Sequence, residues 1–191
     1  LKKPLEAKEL IRSIERIENR RRLVSLTSEP DTSCVRCEHK RLVFGNDTQN
    51  LPYIINQAVY NARAICSDTD TLKMALGEIV LNAIEHGNLN ITMKEKRHAT
   101  EKGVYRELLN ERKNDPVYTG RVVTIDISMD REKIVYTISD QGSGFDYKTM
   151  FDTDPHAHIG SGLGLFIARS FFSEVIYEGS GNTVRLIYLK R

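Results

Sequence analysis

Three stretches of this chain carry residue types that could do chemistry, and each also has an ordinary structural explanation. In SDQGSGFD, residues 139–146, Asp140 closes a β-branched run, and Gly142 and Gly144 let the chain turn at once. A carboxylate fixed there could accept a hydrogen bond from an exocyclic amine, as adenine offers, while the missing side chains admit a flat ring against the backbone. An Asp with two glycines also makes a plain β-turn. In HIGSGLGLFIARSFF, residues 158–172, Gly160, Gly162 and Gly164 precede an apolar helical run. Glycines at a helix start expose backbone N–H groups, which with the positive end of the helix dipole make an anion site suited to phosphates. The same cluster could merely cap a helix. It is no P-loop, since G-x-x-x-x-G-K-[ST] is absent, and no strand leads directly into it as a dinucleotide fold requires. In GEIVLNAIEHGN, residues 77–88, Glu78, Asn82 and Glu85 share one helical face while Leu72, Leu76, Ile79, Val80 and Ala83 share the other. A solvated helix shows this pattern, and so does a helix whose polar side holds something.

The elements that must position these residues follow from periodicity. The SDTD cluster predicts a helix start and Gly87 a stop, giving a helix over about 71–87. RVVTIDISMD and KIVYTISD predict two antiparallel strands joined by a short polar turn, and TVRLIYL a closing strand. RLVFGND reads as a strand and turn. Ile54, Ile55, Ala58, Val59 and Ala62 give a helix, and a third helix follows GSGLGL. Between the central helix and the strands, the charged stretch 91–120 reads as an insertion, largely a solvated helix with Tyr105, Leu108 and Leu109 on one face. At the start, Leu10, Ile11, Ile14 and Ile17 behind Pro4 predict an amphipathic helix, followed by an aperiodic linker over 24–40. The first residue is Leu rather than Met, which suggests a fragment or a processed chain.

Composition narrows the class. At 191 residues the chain has room for one main domain and a small appendage. Its 40% hydrophobic and 28% charged content is that of a soluble globular protein. No apolar run approaches the roughly 20 residues a membrane span needs, and no signal-peptide core follows the Lys-rich start. A reducing cytoplasm is the expected home. Cys34, Cys37 and Cys66 are an odd count, against a disulfide framework. Cys34, Cys37 and His39 have metal-site spacing but no second ligand cluster to complete a zinc shell. A net charge of +2 implies no nucleic-acid surface.

Taken in order, EIVLNAIEHGN with Glu78 and Asn82, DQGSGFD, and GLGLFIARSFFSEVIYEGSGNTVRL with its late Gly181-Asn182-Thr183 resemble the ATP-binding superfamily shared by gyrases, heat-shock chaperones, sensor histidine kinases and mismatch-repair ATPases. Within it, residues 41–191 are most similar to anti-sigma-factor serine kinases of the bacterial switch-protein type. The resemblance implies an α/β, or α+β, two-layer sandwich of the Bergerat type. Its sheet would be mixed and mostly antiparallel, covered by helices on one face, with ATP held between helices and lid. It implies Mg²⁺ held by Asn82, Glu78 as general base, Asp140 reading the adenine amine, and Thr183 assisting through an ordered water. Gly142 and Gly144 would make room for the base, and Gly160, Gly162 and Gly164 would close the lid over the phosphates. His86 is expected to cap or pack near the helix end, and His156 and His158 to be exposed lid residues.

Residues 1–23 resemble the tail of a response-regulator receiver domain, with Lys3-Pro4 as the pair ending its last strand; a free-standing charged helix is the other reading. The domain would then be the output half of a two-component regulator whose upstream phosphorylation alters the helix at 5–23. The implied partners are an anti-anti-sigma (STAS) protein as phosphoryl acceptor and a sigma factor. The insertion at 91–120 puts in question whether sigma docking and homodimerisation carry over, a doubt that does not extend to the ATP site. An ATP-gated binding module without phosphoryl transfer stands as the alternative. A histidine-kinase catalytic domain fits less well, because the five histidines supply no phosphoacceptor helix pair.

Overall fold

The computed structural model describes residues 36–147 and 163–190. The helix expected at 4–23, Cys34, His156, His158, Gly160 and Gly162 lie outside them. Strand β1 spans Glu38–Phe44, helix α1 Leu51–Ala58 and helix α2 Thr69–Asn82, which runs on as a π-helical turn over Ala83–Asn88. Helices α3 (Met93–Glu101) and α4 (Tyr105–Asn114) precede strands β2 (Val123–Met129) and β3 (Lys133–Ser139). Helix α5 (Leu163–Phe171) and strands β4 (Glu174–Glu178) and β5 (Thr183–Leu189) complete the domain.

The strands form one sheet in the order β1-β2-β3-β5-β4. All four of these pairings are antiparallel, in keeping with the mixed and mostly antiparallel sheet expected. Alternation decides which face is buried. Val123, Ile125, Ile127 and Met129 of β2, Ile134, Tyr136 and Ile138 of β3, and Val184, Leu186 and Tyr188 of β5 all point inward. The register sets Ile125 opposite Ile138, and Ile138 opposite Val184, so these side chains form a continuous apolar surface. Against it pack Ile54, Ile55 and Ala58 of α1, Leu72, Leu76, Ile79 and Val80 of α2, and Ala168 of α5. The result is the two-layer sandwich, with helices on one face of the sheet.

Three elements differ from the sequence reading. β1 begins at Glu38, inside the stretch read as linker, because its backbone pairs with β2 from Glu38 onward and Glu38 accepts from Asn61 Nδ2 at 2.5 Å. β4 was not anticipated; its five residues gain strand structure by pairing with β5. The insertion is two helices rather than one. A capping box between Thr92 and Glu95 starts α3, and Gly103, at φ +72°, breaks the run before α4.

Helix α2 starts where Asp68 accepts from the Thr71 N–H at 3.0 Å. It does not stop at Gly87. The chain widens into the π turn and ends at Asn88, with Asn90 in the left-handed region at φ +49°. Among the described residues no helix is long and apolar enough to cross a membrane.

Leu76 is fully buried between α2 and the sheet. Leu76→Ala is expected to cost about 2–5 kcal/mol through lost burial and a residual cavity, read as a lowered midpoint in urea unfolding followed by circular dichroism.

Candidate functional site

Asp140 leaves the end of β3 in a fixed position. Its N–H donates to Asn182 O at 3.0 Å, and Asn182 Nδ2 donates back to Asp140 O at 3.3 Å. The turn after β3 is thereby tied to the turn before β5. Its carboxylate Oδ1 accepts from the Gly142 N–H at 2.7 Å, an Asx turn. Two glycines make this position attainable. A Cβ on Gly87 would overlap the Asp140 carboxyl group, and a Cβ on Gly142 would overlap Gly87 O. Further along, Gly144 at φ +78° and Gly181 at φ +94° let two turns nest, joined by a hydrogen bond from Phe145 N to Ser180 O at 2.9 Å.

Beside Asp140 lies a cavity of about 360 Å³, whose walls include Ile79, Asn82, Ala83, Ile138, Asp140 and Thr183. That volume is in the range of small-molecule sites. Burial pushes the Asp140 carboxyl above the ordinary carboxylate range, opposed by the Gly142 N–H and the positive charge of Arg121. Thr183 Oγ1 donates to Ser139 Oγ at 3.0 Å, placing the hydroxyl on the same wall. Apolar walls around one half-buried acceptor suit a flat base with an exocyclic amine, and the Asn82 amide offers a hard oxygen to a cation.

Glu78 sits one turn before Asn82 and is exposed. It does not line the cavity. Gly164, at the start of α5, packs directly on it, since a Cβ at 164 would overlap the Glu78 side chain. The structure therefore brings together Asn82, Asp140, Gly144 and Thr183 on the cavity, sets Gly142 beneath Asp140, and places Glu78 with Gly164 next to it.

Glu85 departs from the expected polar face. It is only 1% exposed and accepts from Lys96 Nζ at 2.6 Å and from the Tyr105 hydroxyl. The π turn separates it from Glu78 and Asn82, because widening the helix shifts every later residue around the axis. His86 packs near the helix end as expected, its Nδ1 2.5 Å from Ile91 O. The insertion lends the cavity Ile91, Thr92 and Met93. Gly87 and Asn182 were read in the sequence, but not in the roles the fold gives them. Gly87 was visible but passed for a helix stop, and Asn182 has a partner only once the two turns meet.

Residues 54–188 match the family described as the histidine kinase-like ATPase domain. The chain belongs to that family, a class of ATP-binding domain. Among characterised relatives, the serine-protein kinase RsbW of Staphylococcus aureus strain MRSA252 is 30% identical over 140 residues, covering 68% of this chain and 72% of the relative. RsbW of strain Newman is 29% identical with the same coverage.

Gly87→Ala is expected to drive the Asp140 carboxylate out of its seat and to cost about 1–3 kcal/mol by overpacking, measured by thermal unfolding. Because its folded-state pKa is raised, the Asp140 carboxyl contributes most favourably at low pH and loses that contribution as pH rises through its folded pKa. Asp140→Asn, which does not ionise, should therefore gain stability relative to wild type as pH rises through the carboxyl titration. Paired melts across the acidic range read the sign.

Proposed function

We propose that this domain binds ATP with Mg²⁺ in the cavity and transfers the γ-phosphoryl group to a serine hydroxyl of a small anti-anti-sigma (STAS) protein, and otherwise holds a sigma factor. The carrying observation is the half-buried Asp140 carboxylate, cradled by Gly87 and Gly142 on the same cavity as Asn82, with exposed Glu78 one helical turn away. That the RsbW relatives are serine-protein kinases supports the reading.

In this reading Asp140 accepts from the adenine amine, Thr183 assists through an ordered water, and Gly142 and Gly144 keep the base's approach clear. Asn82 holds Mg²⁺, whose charge offsets that of the phosphates. Gly160, Gly162 and Gly164 supply backbone N–H groups to the phosphates. Glu78 takes the serine proton as the hydroxyl oxygen bonds to the γ-phosphorus and the bond to the ADP oxygen breaks. Its exposure suits a base that must meet a protein rather than a small molecule. The reading includes residues 1–23 as the tail of a receiver domain and the stretch up to β1 as linker. The domain at 41–191 would then act as the output of a two-component regulator in the cytoplasm. A second reading, an ATP-gated binding module, draws on the packing of Gly164 against Glu78, which lets nucleotide alter a partner surface without transfer.

Radiolabelled ATP, a panel of STAS proteins and calorimetric titration separate these readings. Asp140→Asn should lose ATP binding. Glu78→Ala should keep it while serine labelling falls by about 10²–10⁴-fold. Labelling that survives in Glu78→Ala would sink the base assignment, and ATP binding with no labelling by wild type would favour the module.

A further inference from the structure

Glu85 is a buried carboxylate that the proposed reaction does not use, and its partners both come from the insertion. Lys96 lies on α3 and Tyr105 opens α4. Burial, and the carboxylate beside it, push the Tyr105 hydroxyl pKa up, so it remains a donor. A carboxylate taken out of water needs such partners, so Glu85 draws both helices to the π turn.

The turn between the π helix and α3 is held by several further bonds. Leu89 N donates to Ile84 O, and Ile91 N to Glu85 O, each at 2.8 Å. His86 Nδ1 meets Ile91 O. Arg112 of α4 binds Glu95 at 2.6 Å and reaches Leu89 O at 3.4 Å. Asn90 completes the reversal in the left-handed region. From this turn, Ile91, Thr92 and Met93 face the cavity.

We propose that the insertion is the wall that completes the ligand cavity, and that Glu85, with Lys96 and Tyr105, is the positioning lock that holds this wall. The functional half of the inference rests on the ATP reading. A wall carried by a separate pair of helices moves only as far as its lock allows. Base binding is therefore coupled to the geometry of α3 and α4, although neither Lys96 nor Tyr105 lines the cavity.

The test uses the full chain labelled with ¹³C-methyl methionine. Met93 reports on the wall and buried Met129 on the sheet core; Met93→Leu assigns the resonance. In wild type, MgATP should shift Met93 and leave Met129 in place. Tyr105→Phe and Lys96→Met should shift Met93 without nucleotide, leave Met129 unmoved, and weaken ATP binding about 3- to 10-fold, the effect of one hydrogen bond. Lys96→Arg should restore both readouts. Asn61→Ala, which removes a hydrogen bond to Glu38 away from the cavity, should leave ATP affinity unchanged. An unchanged Met93 in both lock variants beside normal ATP binding overturns the lock alone. So does equal movement of Met129, which would mean general loosening. A wild type whose Met93 ignores ATP, with the lock variants still shifting it, overturns the ATP reading and confines the inference to the wall.

Discussion

The site depends on a carboxylate held half out of water at a point where three backbone segments nearly touch. A carboxyl group in that position loses hydration and would rather be neutral, and the fold answers with the Gly142 N–H and the field of Arg121. The contact is possible only because Gly87 and Gly142 have no side chains, as the overlaps of any added Cβ show. Asn182 then fixes the backbone of Asp140 from the opposite strand. Remove any one of these and the acceptor swings or ionises differently, so the chemistry of the cavity is set by steric room as much as by the acid itself.

The rest of the domain makes that meeting point rigid. Antiparallel register brings the ends of β3 and β5 side by side, so the turns at 140–145 and 180–182 can nest. Helix α2 lies on the same sheet through Leu72, Leu76 and Val80, all fully buried. Its Asn82 end is thereby delivered to the cavity. The π turn that follows is the one irregular step in an otherwise regular helix. It puts Gly87 under Asp140 and turns Glu85 inward, away from Glu78 and Asn82.

That inward turn changes the meaning of the charged stretch after it. Lys96 and Arg112 look like the solvated side of a helix when read as text, and Tyr105 like part of the face it shares with Leu108 and Leu109, yet in the fold they bond to Glu85 and to Leu89 O beside the turn that walls the cavity. Next to it, buried Asn88 accepts from Gln141 N at 2.8 Å and donates to Asn46 at 2.8 Å, linking the π turn to the residue after Asp140. The cavity of this histidine kinase-like ATPase domain is thus supported from the sheet, from α2 and from the insertion at once.

The sequence by itself determined the strands β2, β3 and β5, the core face of α2 and the glycine-rich turns around Asp140, because β-branched runs, period-3.6 alternation and glycine placement are local properties of the chain, and the class of fold followed from the resemblance that its motifs carry. Asn82, Asp140 and Thr183, which meet on the cavity, were legible as a set through the resemblance that their motifs, taken in order, bear to the ATP-binding superfamily. The short strand β4, the early start of β1, the burial of Glu85 and the role of Gly87 were decided only by tertiary structure. For β1, Glu85 and Gly87 the deciding partner lies well along the chain, as with Lys96 and Tyr105 for Glu85 or Asp140 for Gly87. A five-residue strand or a buried acid is stabilised by what it meets, and local spacing carries no record of that partner.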